Sequence, residues 1–465
     1  MDSRNLHIDS AFPEPGHKEF EMAEIKPFRG FRYNSNTIDD PSKVVTPPYD
    51  VISRAEQDAF HECHPHNVIR LILGKPEKGD RDKNDWHARA ATRFTSWVDD
   101  GILVRDPEPS FYLTTVKFPI EGQTVTRHGL IGLVRLEPFD KGVVLPHERT
   151  FSKVKSERLS LMQACHTNFS PIFSLFSDPE NILEPTHRSI TKRSAEMELV
   201  DTYGHHHQLW SISDSDFNAK LRDFFLDKRL FIADGHHRYE TALNYRNWIA
   251  ENTEGFSENH PANFVMMYLC RMEDPGLVIL PAHRILNGIS DESRSTFLQK
   301  VSAHFEIKTI SFGTNDMNRQ AALTELIKNL QDHEQDHSLG VFIKNQQEFH
   351  LLTLKPGEMD RVFENQMAPA LKQLDVNVLT QLIFVKVLGF DQNRLDNETL
   401  ISYSSTMPEA IDRVASGDHD MCFLLNPTRI NQVRSIAEEG LTMPRKATYF
   451  YPKTITGQVL NSLRP

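Results

Sequence analysis

The stretch Arg229–Arg246, RLFIADGHHRYETALNYR, joins two patterns that belong to different secondary structures. Leu230–Ala233 is a short apolar run of strand type, and Tyr239, Ala242 and Leu243 recur behind it at the spacing of a core-facing helix. Between them stand Asp234, Gly235, His236, His237 and Arg238. A strand that stops at Asp-Gly and restarts as a helix leaves backbone N–H groups without partners at the helix N-terminus. Those groups and the helix dipole favour an anion. Gly235 permits a tight turn, Asp234 is placed to cap the helix or to bind a metal, and an arginine fork such as Arg238 suits phosphate oxygens. Adjacent histidines diverge on a helix whereas zinc pairs sit at i and i+4, so structural zinc is disfavoured at this junction.

Outward from the junction, the pattern alternates between strand and helix signals. SFYLTTVKFPI and TVTRHGLIGLVRL, separated by Glu121-Gly122, read as a hairpin over 110–136. NDWHARAATRFTSWV (84–98) places Trp86, Ala90, Phe94 and Trp97 on one helical face. SPIFSLF (170–176), VMMYLCRM (265–272) and LVILPAHRIL (277–286) read as buried strands, GVFIKNQQEFHLLTLK (340–355) as a second hairpin, and 367–390 as helical. The class is α+β or mixed α/β.

The chain's 465 residues exceed one ordinary core and suggest two or three domains. The expected division is a loose tail at 1–24, a first domain at 25–290, and a second at 291–465 whose last segment returns to the site. A hydrophobic content of 39% with 25% charged residues is that of a soluble globular protein. The net charge of −12 argues against general nucleic-acid binding, which needs a basic face, but leaves room for a small basic pocket. Cys63, Cys165, Cys270 and Cys422 form no metal-type spacing and read as reduced thiols. The acidic N-terminus has no apolar h-region, and no apolar run approaches the ~20 residues that span a bilayer. The expectation is a cytoplasmic protein without a membrane or nucleic-acid partner.

Four further clusters carry chemistry. Leu145-Pro146-His147-Glu148-Arg149-Thr150 sets an acid, a base, a cation and a hydroxyl side by side, and Glu148 is the type of carboxylate that accepts a hydroxyl proton. Pro47-Pro48-Tyr49-Asp50 fixes a turn that ends in a carboxylate. Pro281-Ala282-His283-Arg284 puts a histidine and an arginine at a strand end, where open sheets collect ligands. Met443–Lys453 interleaves Arg445, Lys446 and Lys453 with hydroxyl and aromatic residues, as an anion clamp or as an aromatic strand with snorkelling lysines. His205-His206-His207 has no such anchor and reads as surface loop.

These motifs, VxxPPYDV, LPHERT, ERL, SPIF, ADGHHRYETAL, PAHR, FLLNPT and MPxKxTYFYPK, occur in order from 44 to 453. The set resembles the bacterial and archaeal domain-of-unknown-function family 1015 over almost the whole chain. Two positions depart from it: Ala447 stands where the family usually has serine, and Glu157 where it usually has aspartate. The core Gly235–Ala242 also resembles the phosphate-binding turn of the ParB/sulfiredoxin superfamily, whose free-serine kinases carry a similar Asp-Gly-His-His/Thr-Arg turn with an upstream glutamate as base.

The resemblance implies a ParB/sulfiredoxin-like nucleotide-binding core with ATP or ADP and magnesium as cofactors. Gly235, His236, His237, Arg238 and Arg149 would hold phosphates, Asp234 would sit near the reacting phosphate or a magnesium ion, and His237 would join the catalytic group. Glu148 would be the base, with Asp50 as its rival, because the spacing from Glu148 to Asp234 is longer than in compact serine kinases. Asp50, His147, His283, Arg284, Lys446 and Lys453 are the substrate-binding candidates. The expected activity is nucleotide-dependent phosphoryl transfer to a small hydroxyl metabolite, free serine among them. The rivals are a nucleotide-binding switch or scaffold and a phosphoserine phosphatase. In this reading Arg238→Ala abolishes transfer and leaves the fold intact.

Overall fold

A computed structural model describes residues 22–78, 80–150, 152–314 and 316–464. The tail expected at 1–24 thus lies outside the described residues, except for its last three. The chain is α+β, built around two large sheets.

The first sheet has nine strands: β1 (Ile25–Lys26), β2 (Phe111–Ile120), β3 (Gln123–Arg135), β4 (Val144–Leu145), β5 (Ile172–Phe176), β6 (Met197–Val200), β7 (His206–Ile212), β8 (Leu230–Asp234) and β9 (Phe264–Arg271). Their order is β4-β8-β5-β9-β3-β2-β7-β6, with β1 paired to β3. β4 and β8 run parallel, as do β5 and β9, and the other pairs are antiparallel. Glu121 and Gly122 both have positive φ, 48° and 77°, the handedness that lets a two-residue loop match the twist of paired strands.

Side-chain alternation divides the sheet into two buried faces. Leu230 and Ile232 of β8 join Phe111, Leu113, Val265 and Met267 on one face, where Tyr239 and Ala242 of the following helix also pack. Phe231 and Ala233 point the other way, into a core shared with Tyr112, Leu133, Phe173 and Tyr268. That second core runs on into the C-terminal half through Leu286, Phe297, Leu339 and Val341. The sheet is therefore covered on both sides, which is why β8 is apolar throughout rather than alternating. Helix Lys83–Asp99 buries Ala90, Phe94 and Trp97 in a third core, while Trp86 is only half-buried.

The second sheet contains β10 (His283–Leu286), β11 (Phe305–Ser311), β12 (Ser338–Ile343), β13 (Glu348–Leu354), β14 (Ile401–Ser404) and β15 (Met421–Leu425), in the order β11-β13-β12-β15-β10-β14. Beside it the chain from Pro369 is helical, ending in a π-helix at Val378–Val387. The final segment crosses back to the first half: Tyr449–Tyr451 pairs with Val278–Leu280, and Asn461–Ser462 pairs with Thr167–Asn168. Among the described residues no helix is long and apolar enough to cross a membrane.

Two expectations are corrected. LVILPAHRIL is not one strand but two, in different sheets, broken at Pro281-Ala282 because proline cannot donate to a ladder. The histidine triple is not surface loop. His206 and His207 open β7, so alternate residues face opposite sides: His205 and His207 are 3% and 4% exposed, while His206 turns out to Glu198 at 2.6 Å.

Candidate functional site

The parallel pairing of β4 with β8 solves the spacing problem between Glu148 and Asp234. Val144 lies beside Leu230 and Leu145 beside Phe231, so Glu148 and Asp234 each leave the same edge three residues further on. Strand ends of this kind are where open sheets place ligands. The pairing of β8 with β5 shifts register between Ile232 and Asp234, which re-aims the last residue of the strand.

Gly235 follows with φ 96°, a conformation costly for any residue with a Cβ. A Cβ there would lie 2.8 Å from Arg238 Nε. The helix His236–Asn252 then starts without a side-chain cap, Gly235 occupying the N-cap position. Asp234 is thus not the cap. Its carboxylate is turned away to bind Arg238 through Oδ2 and Lys453 through Oδ1, the latter at 2.5 Å. Arg238 also donates to the Pro171 carbonyl.

The three charges are almost wholly enclosed. Burial pushes the Asp234 carboxyl up, but Lys453 and Arg238 outweigh it and hold the group below the usual carboxylate range. Burial likewise pulls Lys453 down, and Asp234 more than restores it, leaving its pKa raised. The trio therefore keeps a surplus positive charge beside the helix N-terminus. Six arginines and lysines and four carboxylates line the surrounding cleft of about 1170 Å³. Locally the sign is opposite to the chain's −12, and it favours an anion.

Glu148 lines this cleft beside the helix N-terminus. About a third of its side chain, 31%, faces the cavity; Oε2 is 3.8 Å from His236 Nδ1, and Oε1 is 4.0 Å from His147 Nε2. Burial pushes its carboxyl up to about 7, against the opposing pull of Lys453 and Lys446. The two histidines are neutral supports: burial pushes His147 down to about 4 and His236 well below its ordinary value. His236 Nε2 accepts the His147 backbone N–H at 3.2 Å, so its proton sits on Nδ1, toward Glu148. His147 Nε2 meets Thr448 Oγ1 at 3.1 Å, and the Met443 N–H donates to the His147 carbonyl at 2.8 Å. These bonds tie the returning C-terminal segment to the LPHERT loop.

The cleft gathers Asp50, Glu148, Arg149, Asp234, Gly235, His236, His237, Arg238, Arg284, Lys446 and Lys453. Arg149 is exposed, its Nε donating to Thr442 Oγ1 at 3.2 Å. His237 is held low by burial, with Asp50 and Glu240 pulling it up. Arg284 is buried and donates to the carbonyls of Ala282, Arg445 and Lys446, the last at 3.1 Å. Burial pushes it down to about 10. Its clamp supports Lys446, which is exposed and has φ 54°, a strained conformation of the kind that marks ligand clamps. His147 lies beneath the cleft wall. His283 lies outside it: its Nδ1 accepts the Leu425 N–H at 3.1 Å inside the second sheet.

Magnesium on Asp234 does not fit this arrangement, because each of its oxygens already faces a buried cation. Asp50 lines the same cleft and is exposed. Ala447 is buried off the cleft, and its carbonyl accepts from Thr428 Oγ1 at 2.8 Å.

The opposite wall escaped the sequence reading. Met367, Leu371, Phe384, Leu395 and Tyr403 make it apolar, while Asn377, Gln381 and Gln392 supply amides. The one available signal was the polar pair Thr380-Gln381 inside a mostly apolar helix, at what proves to be a π-helix, a frequent mark of function.

No curated protein matches the chain. Among solved structures it is similar to a conserved hypothetical protein from Pyrococcus furiosus, with 9% identity over 71% of this chain and 94% of that one and a TM-score of 0.32. It is similar to a free serine kinase in complex with AMP at 10% identity, covering 68% and 86%, with a TM-score of 0.32. For SbnI from Staphylococcus aureus, with a C-terminal truncation, the values are 11%, 70%, 86% and 0.33. Similarity this distant carries over no residue role. The family profile described as Protein of unknown function (DUF1015) matches residues 25–377, and the chain belongs to that family.

Proposed function

We propose that the protein is a nucleotide-dependent phosphotransferase acting on a small hydroxyl metabolite, with free serine the first candidate. The observation that carries this reading is Glu148. A carboxyl poised near 7 lines the same cleft as an electropositive, uncapped helix N-terminus and lies beside its first residue, His236. A general base works best with a pKa near the working pH, and phosphoryl transfer needs little beyond positioning and charge neutralisation.

In this mechanism the terminal phosphate lies on the N–H groups of the first turn, between Lys453 and Lys446. The acceptor hydroxyl approaches from the side of Glu148, which takes its proton as the oxygen bonds to phosphorus and the bond to the departing nucleotide breaks. Asp234 and Arg238 do not touch the phosphate; they fix the Lys453 ammonium and keep it charged. A magnesium ion on Asp50, when bound, supplies further neutralisation. The apolar wall of Met367, Leu371, Phe384 and Tyr403 suits a nucleoside. The resemblance of Asp234–Arg238 to the turn of free-serine kinases agrees with serine as acceptor.

Purified protein incubated with ATP or ADP, magnesium and L-serine, followed by phosphorus NMR, tests the reading. Phosphoserine formed in step with nucleotide loss is expected. Nucleotide that binds but is never transferred to serine or to a panel of small hydroxyl compounds overturns it in favour of a switch. Nucleotide-independent release of phosphate from phosphoserine overturns it in favour of a phosphatase.

A further inference from the structure

A second cluster of ligating side chains lies outside this cleft, at the turn between β6 and β7. Asp201 begins the turn; its backbone N–H donates to the His205 carbonyl at 2.9 Å and its carbonyl accepts from Gly204 at 3.0 Å. Its Oδ1 accepts the backbone N–H groups of Tyr203 and His205, both at 2.9 Å. The carboxylate is thereby locked with Oδ2 free of the backbone. That oxygen lies 3.1 Å from His205 Nδ1 and 2.9 Å from His207 Nε2.

We propose that Asp201, His205 and His207 form a metal site of the zinc class. One donor atom from each lies within 4.8 Å of the other two, and both imidazoles are buried. Four-coordinate zinc with bonds of 2.0–2.2 Å keeps its donors about 3.3 Å apart, so the two measured separations need to open by only a few tenths of an ångström. Two imidazoles and one carboxylate are a borderline donor set that suits zinc over magnesium or calcium, which prefer all-oxygen shells.

The surroundings match what ligating histidines require. His205 places its other nitrogen, Nε2, 2.8 Å from Tyr451 Oη, an outer partner of the kind that fixes ring orientation in metal sites. Tyr451 belongs to the returning C-terminal segment, so the ion would pin that segment to the turn. Three protein donors leave a fourth position for water or a small ligand. Asp201 and His205 border a cavity of about 120 Å³, shared with Tyr203, Tyr449 and Lys453, into which that position could open.

The test uses the full chain, stripped by dialysis against a chelator and titrated with zinc chloride by calorimetry. About one equivalent is expected, with affinity falling at least ~100-fold in His207→Ala and in Asp201→Asn, and about 10-fold in Tyr451→Phe, the loss typical of an outer partner. Glu148→Gln should leave zinc affinity unchanged, which separates this site from the histidines of the main cleft. X-ray absorption at the zinc edge of the wild-type protein, expected to show two imidazoles and an oxygen, makes the test independent of variants that fail to fold. No zinc uptake, uptake indifferent to His207→Ala and Asp201→Asn, or a shell without two imidazoles overturns the proposal and leaves a hydrogen-bonded Asp–His cluster. None of these readouts depends on phosphoryl transfer.

Discussion

Glu148→Gln should make the protein more stable at alkaline pH while removing its activity. In the folded chain the Glu148 carboxyl titrates at about 7 instead of 4.5, chiefly through burial. The sign follows from proton counting. Below about pH 4.5 both the folded and the unfolded states hold the proton, and Glu148 makes no pH-dependent contribution. Between 4.5 and 7 the unfolded chain ionises first, so stability falls as pH rises; above 7 the loss is complete. A shift of this size corresponds to roughly 3 kcal/mol, discounted to about 2 kcal/mol because 31% of the side chain faces the cavity and is screened. Glutamine resembles the protonated acid at every pH. Urea unfolding should therefore show Glu148→Gln and wild type about equal near pH 4.5, with the variant ahead by about 2 kcal/mol near pH 8.5. A difference that stays constant with pH, or a variant less stable at pH 8.5, would refute a carboxyl held near 7 by its surroundings.

Three other outcomes follow from the same geometry. Arg238→Ala and Lys453→Met each strip one of two cations from the buried Asp234 and should each cost about 3 kcal/mol in denaturant unfolding, so Arg238→Ala should lower stability as well as transfer. Gly235→Ala forces φ 96° on a residue with a Cβ and presses it on Arg238; calorimetry should show weaker nucleotide binding, and unfolding a loss of about 1–2 kcal/mol. His283→Ala leaves the Leu425 N–H buried and unpaired, costing about 1–3 kcal/mol with nucleotide affinity unchanged, in contrast to Gly235→Ala.

How much of this was legible in sequence depended on range. The hairpin at 111–135 and the junction at 230–252 came from local alternation and from Asp-Gly punctuation, and the structure has both. The histidine triple misled because consecutive polar residues suggest exposure; on a strand they alternate, and a partner four residues upstream, Asp201, makes burial tolerable. Asp234 as cap or metal ligand was a reasonable reading of strand–Asp–Gly–helix, but Lys453, 219 residues away, claims one oxygen. The neighbourhood of Glu148 and Asp234 rests on the pairing of Val144–Leu145 with Leu230–Phe231, which no local pattern encodes. The apolar wall of the cleft comes from the second half of the chain, and its residues carry no motif.

The most direct test of the account is the pH dependence of phosphoryl transfer from nucleotide to serine, measured as kcat/KM in wild type and Glu148→Gln. The wild-type rate should rise with pH through an apparent pKa near 7. That limb should vanish in Glu148→Gln, with a rate lower by about 10²–10⁴ above that pH. A wild-type profile flat across pH 7, or a Glu148→Gln enzyme that retains both rate and limb, would contradict it.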